Sequence, residues 1–271
     1  MSAVQPTGAL TGVPSGVLGT LVDEARQQTE RRRAACPAAE LAVRAAAAPE
    51  PRDFAAALRA PGLGVIAELK PRSPSKGPLT RDYRPVELAR AYAAGGAAAL
   101  SVLTHEAGFG GSPEDLAAVR PEVDLPLLRK DFIVDEYQVL EARALGADAL
   151  LLIAAALSGP RLAELVTATR RLGMEPLVEV HDEAEVDAAL AADATVIGVN
   201  HRDLRDFAID RTLSARLRER VGPGRVMVGE SGVRGAQDAR ALERAGVDAV
   251  LVGELLMRAA HPGAVIKELI G

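Results

Sequence analysis

Eight short apolar runs recur along the chain, with starts roughly 20 to 35 residues apart: GVIAELK (64–70), AAALSVLT (97–104), LPLLRKD (125–131), DALLLIA (148–154), EPLVEV (175–180), TVIGVN (195–200), RVMVGES (225–231) and DAVLVGE (248–254). Between them lie Ala/Leu/Glu/Arg stretches with helical periodicity. Strand alternating with helix implies parallel βαβ units, because parallel neighbours need a long crossover. The runs are apolar almost throughout, as strands covered on both faces must be. Three of them are entered through similar turns, Ala94-Gly95-Gly96-Ala97, Leu145-Gly146-Ala147-Asp148 and Ala245-Gly246-Val247-Asp248. A glycine there suits a helix end in the left-handed conformation. Eight such units closing on themselves make an α/β fold of the single (β/α)8 TIM barrel type. A doubly wound open sheet is the alternative. It calls for a glycine-rich turn after the first strand, where this chain has Lys70-Pro71-Arg72-Ser73-Pro74.

The segment before the first run is organised differently. Residues 1–16 are small, polar and broken by Gly and Pro, and are expected to form a disordered tail. Leu18, Leu21, Val22 and Ala25 have helical spacing. Residues 17–271 are therefore read as one barrel domain, whose N-terminal helical extension covers 17–60. The Arg31-Arg32-Arg33 run is expected to be a solvated helix face.

In such barrels the chemistry lies at the C-terminal ends of the strands. The runs end in Glu68-Leu69-Lys70, Arg129-Lys130-Asp131, Glu179, Asn200 and Glu230-Ser231-Gly232. Residues two apart on a strand share a face, so Glu68 and Lys70 point together, and Lys130 points away from Arg129 and Asp131. A ring of charges around one mouth is costly unless paired or used. Residue counts single out the same positions. Lys plus Arg is 32, yet only Lys70, Lys76, Lys130 and Lys267 are lysines, and Asn200 is the only asparagine. An ammonium can yield a proton in turnover, its pKa lowered by burial and a neighbouring cation, where a guanidinium cannot. Lys76 and Lys267 are placed away from the reacting atoms. Ser231-Gly232 and Gly253-Glu254 end the last two runs, where this fold commonly binds phosphate.

Other classes are disfavoured. Net charge is -5 and aromatics are 3%, so neither a basic nucleic-acid surface nor a stacking platform is expected. No apolar run reaches a membrane span, and the N-terminus lacks a signal pattern. One cysteine, Cys36, suits a reducing cytoplasmic setting. No cluster has metal-ligand spacing. His105, His181, His201 and His261 are scattered, and His181 and His201 are read as polar loop residues.

VIAELKPRSPSKG (65–77), PLLRKDFIVDEYQV (126–139), PLVEVHDEAE (176–185), IGVNHRDL (197–204) and VGESGV (228–233) together resemble the indole-3-glycerol phosphate synthase family. The resemblance runs from about residue 16 to the C-terminus. It implies a (β/α)8 barrel with an N-terminal extension that converts 1-(2-carboxyphenylamino)-1-deoxyribulose 5-phosphate to indole-3-glycerol phosphate, carbon dioxide and water in tryptophan biosynthesis, without cofactor or metal. It implies Lys130 as the acid for ring closure, Lys70 on the substrate carboxylate with a possible part in dehydration, Glu179 and Glu68 as carboxylate partners, and Asn200 and Ser231 as orienting groups. Ser73, Gly232, Gly253 and the backbone at Glu254 match its phosphate site. Arg202 matches a site arginine, and Phe109, Phe132 and Leu204 match its aromatic-ring pocket.

The expected partner is a small sugar phosphate, with no nucleic acid and no membrane, and the expected state is monomer or weak homodimer. Pro71 stands where that family often has a basic residue, and Leu255 where it often has a serine. Glu254 is compatible with phosphate only if its carboxylate points away. Sister phosphate barrels that isomerise sugars use a Cys/Asp or Asp/Asp pair, which these strand ends do not offer. A duplicate that only binds the sugar phosphate would have lost a lysine or carboxylate from the ring, and all are present.

Overall fold

Each of the eight apolar runs forms a strand, and the strands hydrogen-bond in sequence order until the last pairs with the first. The computed structural model describes residues 16–74, 76–203 and 208–271. The strands are β1 Gly64–Leu69, β2 Ala99–Leu103, β3 Leu127–Lys130, β4 Ala149–Ile153, β5 Glu175–Val180, β6 Val196–Asn200, β7 Val226–Glu230 and β8 Ala249–Val252. All eight pairings are parallel, and β8 closes on β1 with Gly64 beside Ala249. The closed parallel barrel is the (β/α)8 fold that the alternation implies.

Three helices, α1 Gly16–Ala35, α2 Ala38–Ala47 and α3 Phe54–Leu58, precede it. Around and above the strands run α4 Pro85–Ala94, α5 Pro113–Val119, α6 Glu136–Ala144, α7 Gly159–Arg171, α8 Glu183–Ala191, α9 Leu213–Val221, α10 Ala236–Arg244, α11 Glu254–Met257 and α12 Pro262–Ile270. Among the described residues no helix is long and apolar enough to cross a membrane. The tail expected over 1–16 falls outside the described residues except for Gly16, which opens α1.

The repeated turns have a concrete function in the fold. Gly96, Gly146 and Gly246 all take φ between +82 and +89°, the left-handed conformation that a side chain disfavours. The aspartate after two of them then clamps the preceding strand. Asp148 accepts the Leu127 N–H and Asp248 accepts the Met227 N–H, each at 2.7 Å. Asp148 also takes the Arg52 N–H at 2.7 Å and both contacts of Arg120 Nη1, at 2.8 and 2.7 Å. It thereby joins the closed end of the barrel to the N-terminal extension. Asp148→Ala is expected to cost about 3–5 kcal/mol, because it leaves the Arg120 charge uncompensated in a buried site. Asp248→Ala, at a side chain 40% exposed, removes one hydrogen bond and a half-exposed ion pair with Arg218 at 3.6 Å, and is expected to cost about 1 kcal/mol. Urea unfolding of the two variants checks the contrast.

The arginine run is not a solvated face. Arg32 Nε reaches Glu141 at 2.8 Å, Arg33 Nη2 reaches Asp135 at 2.7 Å, and Arg33 lies 5.2 Å over the Tyr137 ring. Of the three, Arg31 is exposed and Arg32 and Arg33 are half-buried. The run therefore fastens α1 to α6. That contact sets α1 across the barrel mouth, with Leu18 and Leu21 at the wall of the cavity below.

Candidate active site

The C-terminal ends of the strands open into a cavity of about 710 Å³. Every residue expected at the site lines it except Leu204, which lies outside the described residues. Alternation along each strand explains the arrangement. Lys130 points into the mouth, while Arg129 turns outward and is fully buried against Thr104, Glu141 and Asp131. Glu68 and Lys70 share the inward face and form an ion pair.

Lys130 sits at the centre of the charges. Its Nζ lies 3.1 Å from Glu179 Oε2 and 3.4 Å from Glu230 Oε2. Burial favours its neutral amine, but Glu179, Glu230 and Glu68 outweigh burial and raise its pKa, so it is held as an ammonium. This corrects the expectation of a lysine depressed by a neighbouring cation: its neighbours are carboxylates. The two carboxylates differ from each other. Burial pushes both upward, but Lys130, His181 and the Asn200 amide hold Glu179 below its usual range. Glu230 is driven above it by burial and by the charges of Glu179 and Glu68, against the pull of Lys130. Two carboxyl groups with opposed shifts around one ammonium are what acid–base chemistry needs.

Gly198 makes room for this arrangement. It stands on β6 beside Glu179 in register, and a Cβ there would overlap the Glu230 carboxyl oxygen Oε1. Gly253 does the same for the first pair, since a Cβ would overlap Glu68 Oε2 and come within 3.1 Å of Lys70 Nζ. Gly253 thus serves the charged pair as well as the expected phosphate end.

Asn200 orients the far wall. Its Nδ2 donates to Glu179 Oε1 at 3.1 Å, and its Oδ1 accepts from Ser231 Oγ at 2.8 Å and from the Arg202 N–H at 3.1 Å. An aspartate could not donate and a leucine could do neither, which accounts for an asparagine in a chain that otherwise avoids it. Ser231 has φ +65°, a strained conformation for a residue with a side chain. His201 holds it there: Nδ1 meets the Ser231 carbonyl at 3.0 Å and Nε2 meets Ser214 Oγ at 2.7 Å. His201 is buried, and desolvation lowers its pKa, so it is neutral at pH 7. It is a buried clamp rather than the polar loop residue expected.

Gly232 follows Ser231 with φ +82°. The N–H groups of Gly232 and Val233 meet no acceptor among the described residues. Arg211, Arg234 and Arg258 line the cavity too, and Arg211 Nε donates to the Gly232 carbonyl at 2.8 Å. Glu254 turns its carboxylate to Arg258, 3.3 Å away, so its charge is countered. Ser73 lines the mouth from the loop after β1, where its Oγ accepts the Lys76 N–H at 3.2 Å. Lys76 lines the mouth too, which corrects its placement away from the site. Lys267 is exposed on α12.

Phe109 and Phe132 form the apolar wall, their ring centroids 6.0 Å apart. His105 backs them edge-on, 4.9 Å from Phe132, fully buried between Asp131 and Glu24 of α1. His181 stands behind Glu179, with Nε2 3.4 Å from Oε1 and Nδ1 3.1 Å from Glu185 Oε2. It is a polar loop residue, as expected, but one whose partners include a site carboxylate. Two participants thus escaped the sequence-based choice of site residues: Glu230, seen at a strand end but assigned no role, and His181. Among the described residues no group of three or more His, Cys, Asp and Glu could hold a metal ion. Cys36 lies between α1 and α2, not at a strand end.

The model of the family described as indole-3-glycerol phosphate synthase matches residues 18–269. The chain is 75% identical over 257 residues to indole-3-glycerol phosphate synthase 2 of Streptomyces coelicolor, covering 95% of this chain and 100% of that protein. It is 51% identical over 222 residues to the indole-3-glycerol phosphate synthase of Mycolicibacterium smegmatis, 82% of each. Among solved structures, that of a 3-hexulose-6-phosphate synthase superposes with a TM-score of 0.60 at 19% identity, over 77% of this chain and 97% of that one. That likeness concerns the fold alone.

Proposed function

The chain belongs to the indole-3-glycerol phosphate synthase family, and from that premise we propose how its barrel mouth divides the work of the reaction. The activity is that of a decarboxylating carbon–carbon lyase in tryptophan biosynthesis. The aromatic carbon bearing the carboxylate attacks the ketone of the sugar chain, carbon dioxide leaves, and water is then lost to give the indole ring.

Ring closure turns the ketone oxygen into an alkoxide, which needs a proton as the bond forms. Lys130 gives it. The ammonium 3.1 Å from Glu179 and 3.4 Å from Glu230 is the observation that carries this reading, since it is a proton donor held among carboxyl groups in the barrel mouth. An ammonium whose pKa is raised remains a competent acid toward an alkoxide, which is more basic still. Loss of the hydroxyl as water needs a second acid, and loss of a ring proton needs a base. Glu230, raised in pKa, is the acid and Glu179, kept anionic, is the base. Lys70, paired with Glu68, takes the substrate carboxylate until it leaves. Asn200 and Ser231 orient Glu179, and Phe109 and Phe132 take the aromatic ring.

We assign the phosphate to the Gly232 and Val233 amides, with Ser73, Gly253 and the cavity's arginines lining the same mouth. Arg202 borders the same wall. Gly232→Asp is expected to raise KM about 10-fold with a smaller change in kcat, because it adds like charge beside a dianion. Inorganic phosphate as a competitive inhibitor tests the same assignment, and an unchanged KM would place the phosphate elsewhere.

As a protein we read it as one domain over 17–271, cytoplasmic, and monomeric or weakly dimeric. Val17 and Val43 are the only large exposed hydrophobics among the described residues, which offers little surface for a permanent partner. The decisive experiment is turnover of 1-(2-carboxyphenylamino)-1-deoxyribulose 5-phosphate, followed by indole fluorescence. Absence of product from folded enzyme would overturn the reading.

A further inference from the structure

Glu179 is gripped from three sides. Lys130 holds Oε2 and the Asn200 Nδ2 group donates to Oε1 at 3.1 Å, while His181 Nε2 faces Oε1 at 3.4 Å as an ion-pair partner. The histidine is itself fixed. It stands one residue before Asp182, which caps α8 by accepting the Glu185 N–H at 2.9 Å. Glu185 reaches back to accept the His181 N–H at 2.8 Å and faces its Nδ1 at 3.1 Å. The first turn of α8 thus sets the ring so that Nε2 can only meet Glu179. That nitrogen is buried and makes no hydrogen bond among the described residues, so its tie to Glu179 at 3.4 Å is one of charge alone. His181 does not line the cavity, so it acts through Glu179.

We propose that His181, braced by Glu185, is a positioning residue for this reaction: it pins Glu179 Oε1 so that Oε2 stays on the Lys130 ammonium and the carboxylate keeps its charge. The inference rests on the reading of Lys130 and Glu179 given above. Its electrostatics agree. Burial disfavours the imidazolium, but Glu185, Glu179 and more distantly Glu230 raise the His181 pKa to about 8. The ring is therefore cationic at pH 7 and loses its charge as pH rises through 8. The groups facing it are Glu179 from β5, Glu185 from α8 and Glu230 from β7, with Lys130 of β3 on the far side of Glu179.

The test is steady-state kinetics of wild type, His181→Ala, His181→Gln and Lys130→Arg from pH 6 to 9.5, with thermal melts. His181→Ala is expected to lower kcat about 10-fold, the scale of one buried charge contact. KM should stay within about twofold, since no substrate contact is lost. The glutamine amide can still donate to Glu179, so His181→Gln should recover part of the loss. At pH 7 wild type should exceed His181→Gln about 5-fold, falling toward parity above pH 8 as the imidazolium deprotonates. Glu230 titrates in the same range and interacts with His181, so the ratio is measured again in the Glu230→Gln background, where that titration is absent. Wild-type kcat in His181→Ala, or equal losses in both variants with a flat ratio and lowered melting points, would overturn the proposal. An inactive Lys130→Arg beside a fully active His181→Ala would sink the positioning role alone. An active Lys130→Arg would remove the acid reading, and the positioning role with it.

Discussion

Lys130→Arg is expected to lower kcat by at least about 10²-fold with the fold intact, on the scale of a lost general acid. Charge is not what the substitution removes. This chain places arginine at 28 of its 32 basic positions, so a position that needed only a cation would tolerate one. Geometry and proton affinity are what change. Nζ is a compact donor set between Glu179 and Glu230. A planar guanidinium is wider, would push those carboxyl groups apart, and holds its proton more tightly. The surrounding carboxylates already raise the lysine, so only a strongly basic oxygen can take its proton. The alkoxide formed in ring closure is such an oxygen, and the donor is thereby matched to one step. Circular dichroism of the variant checks folding, and kcat at saturating substrate gives the result. If most of the activity survives, Lys130 is an electrostatic anchor and the acid lies at Glu230 or Lys70.

The barrel was legible because parallel strands are buried on both faces and leave eight unmixed apolar runs. The Gly-x-Asp turns repeat because each aspartate clamps a strand end in the same way. The lysines and Asn200 stood out because nothing else in an arginine-rich, asparagine-poor chain donates as they do. What stayed hidden depends on neighbours brought together by folding. The sign of the Lys130 shift is set by Glu179 and Glu230, which lie 49 and 100 positions away in the chain. His181 looks like any loop histidine until α8 turns Glu185 behind it. The arginine run looks like a solvated face until Glu141 and Asp135 of the α6 region meet it. Gly198 is the extreme case, since its contribution is an absence of atoms.

That absence yields a prediction comparable in size to the lysine. Gly198→Ala adds one methyl group at a strand position whose backbone is not left-handed, so alanine brings no conformational penalty. The new Cβ would overlap Glu230 Oε1, with Glu230 Cδ 3.2 Å and Leu177 Cδ1 3.3 Å away. The cheapest relief is rotation of the Glu230 carboxyl group, because it is the far end of a flexible side chain. Rotation carries Oε2 off Lys130 and moves the acid away from the departing hydroxyl. Catalytic groups displaced by about 1 Å lose about 10²-fold in rate, so kcat is expected to fall by about that factor. The phosphate end is built from the backbone amides of Gly232 and Val233, which rotation of the Glu230 side chain leaves in place, so KM should change little. The melting temperature should drop only slightly, since overpacking by one methylene costs about 1–3 kcal/mol when it must displace a core, and here a side chain can yield. Glu230→Gln in the Gly198→Ala background should add almost nothing, because both changes disable the same group. A Gly198→Ala enzyme with full activity, or a double variant whose losses multiply, would show that the position of the Glu230 carboxyl group does not govern the rate.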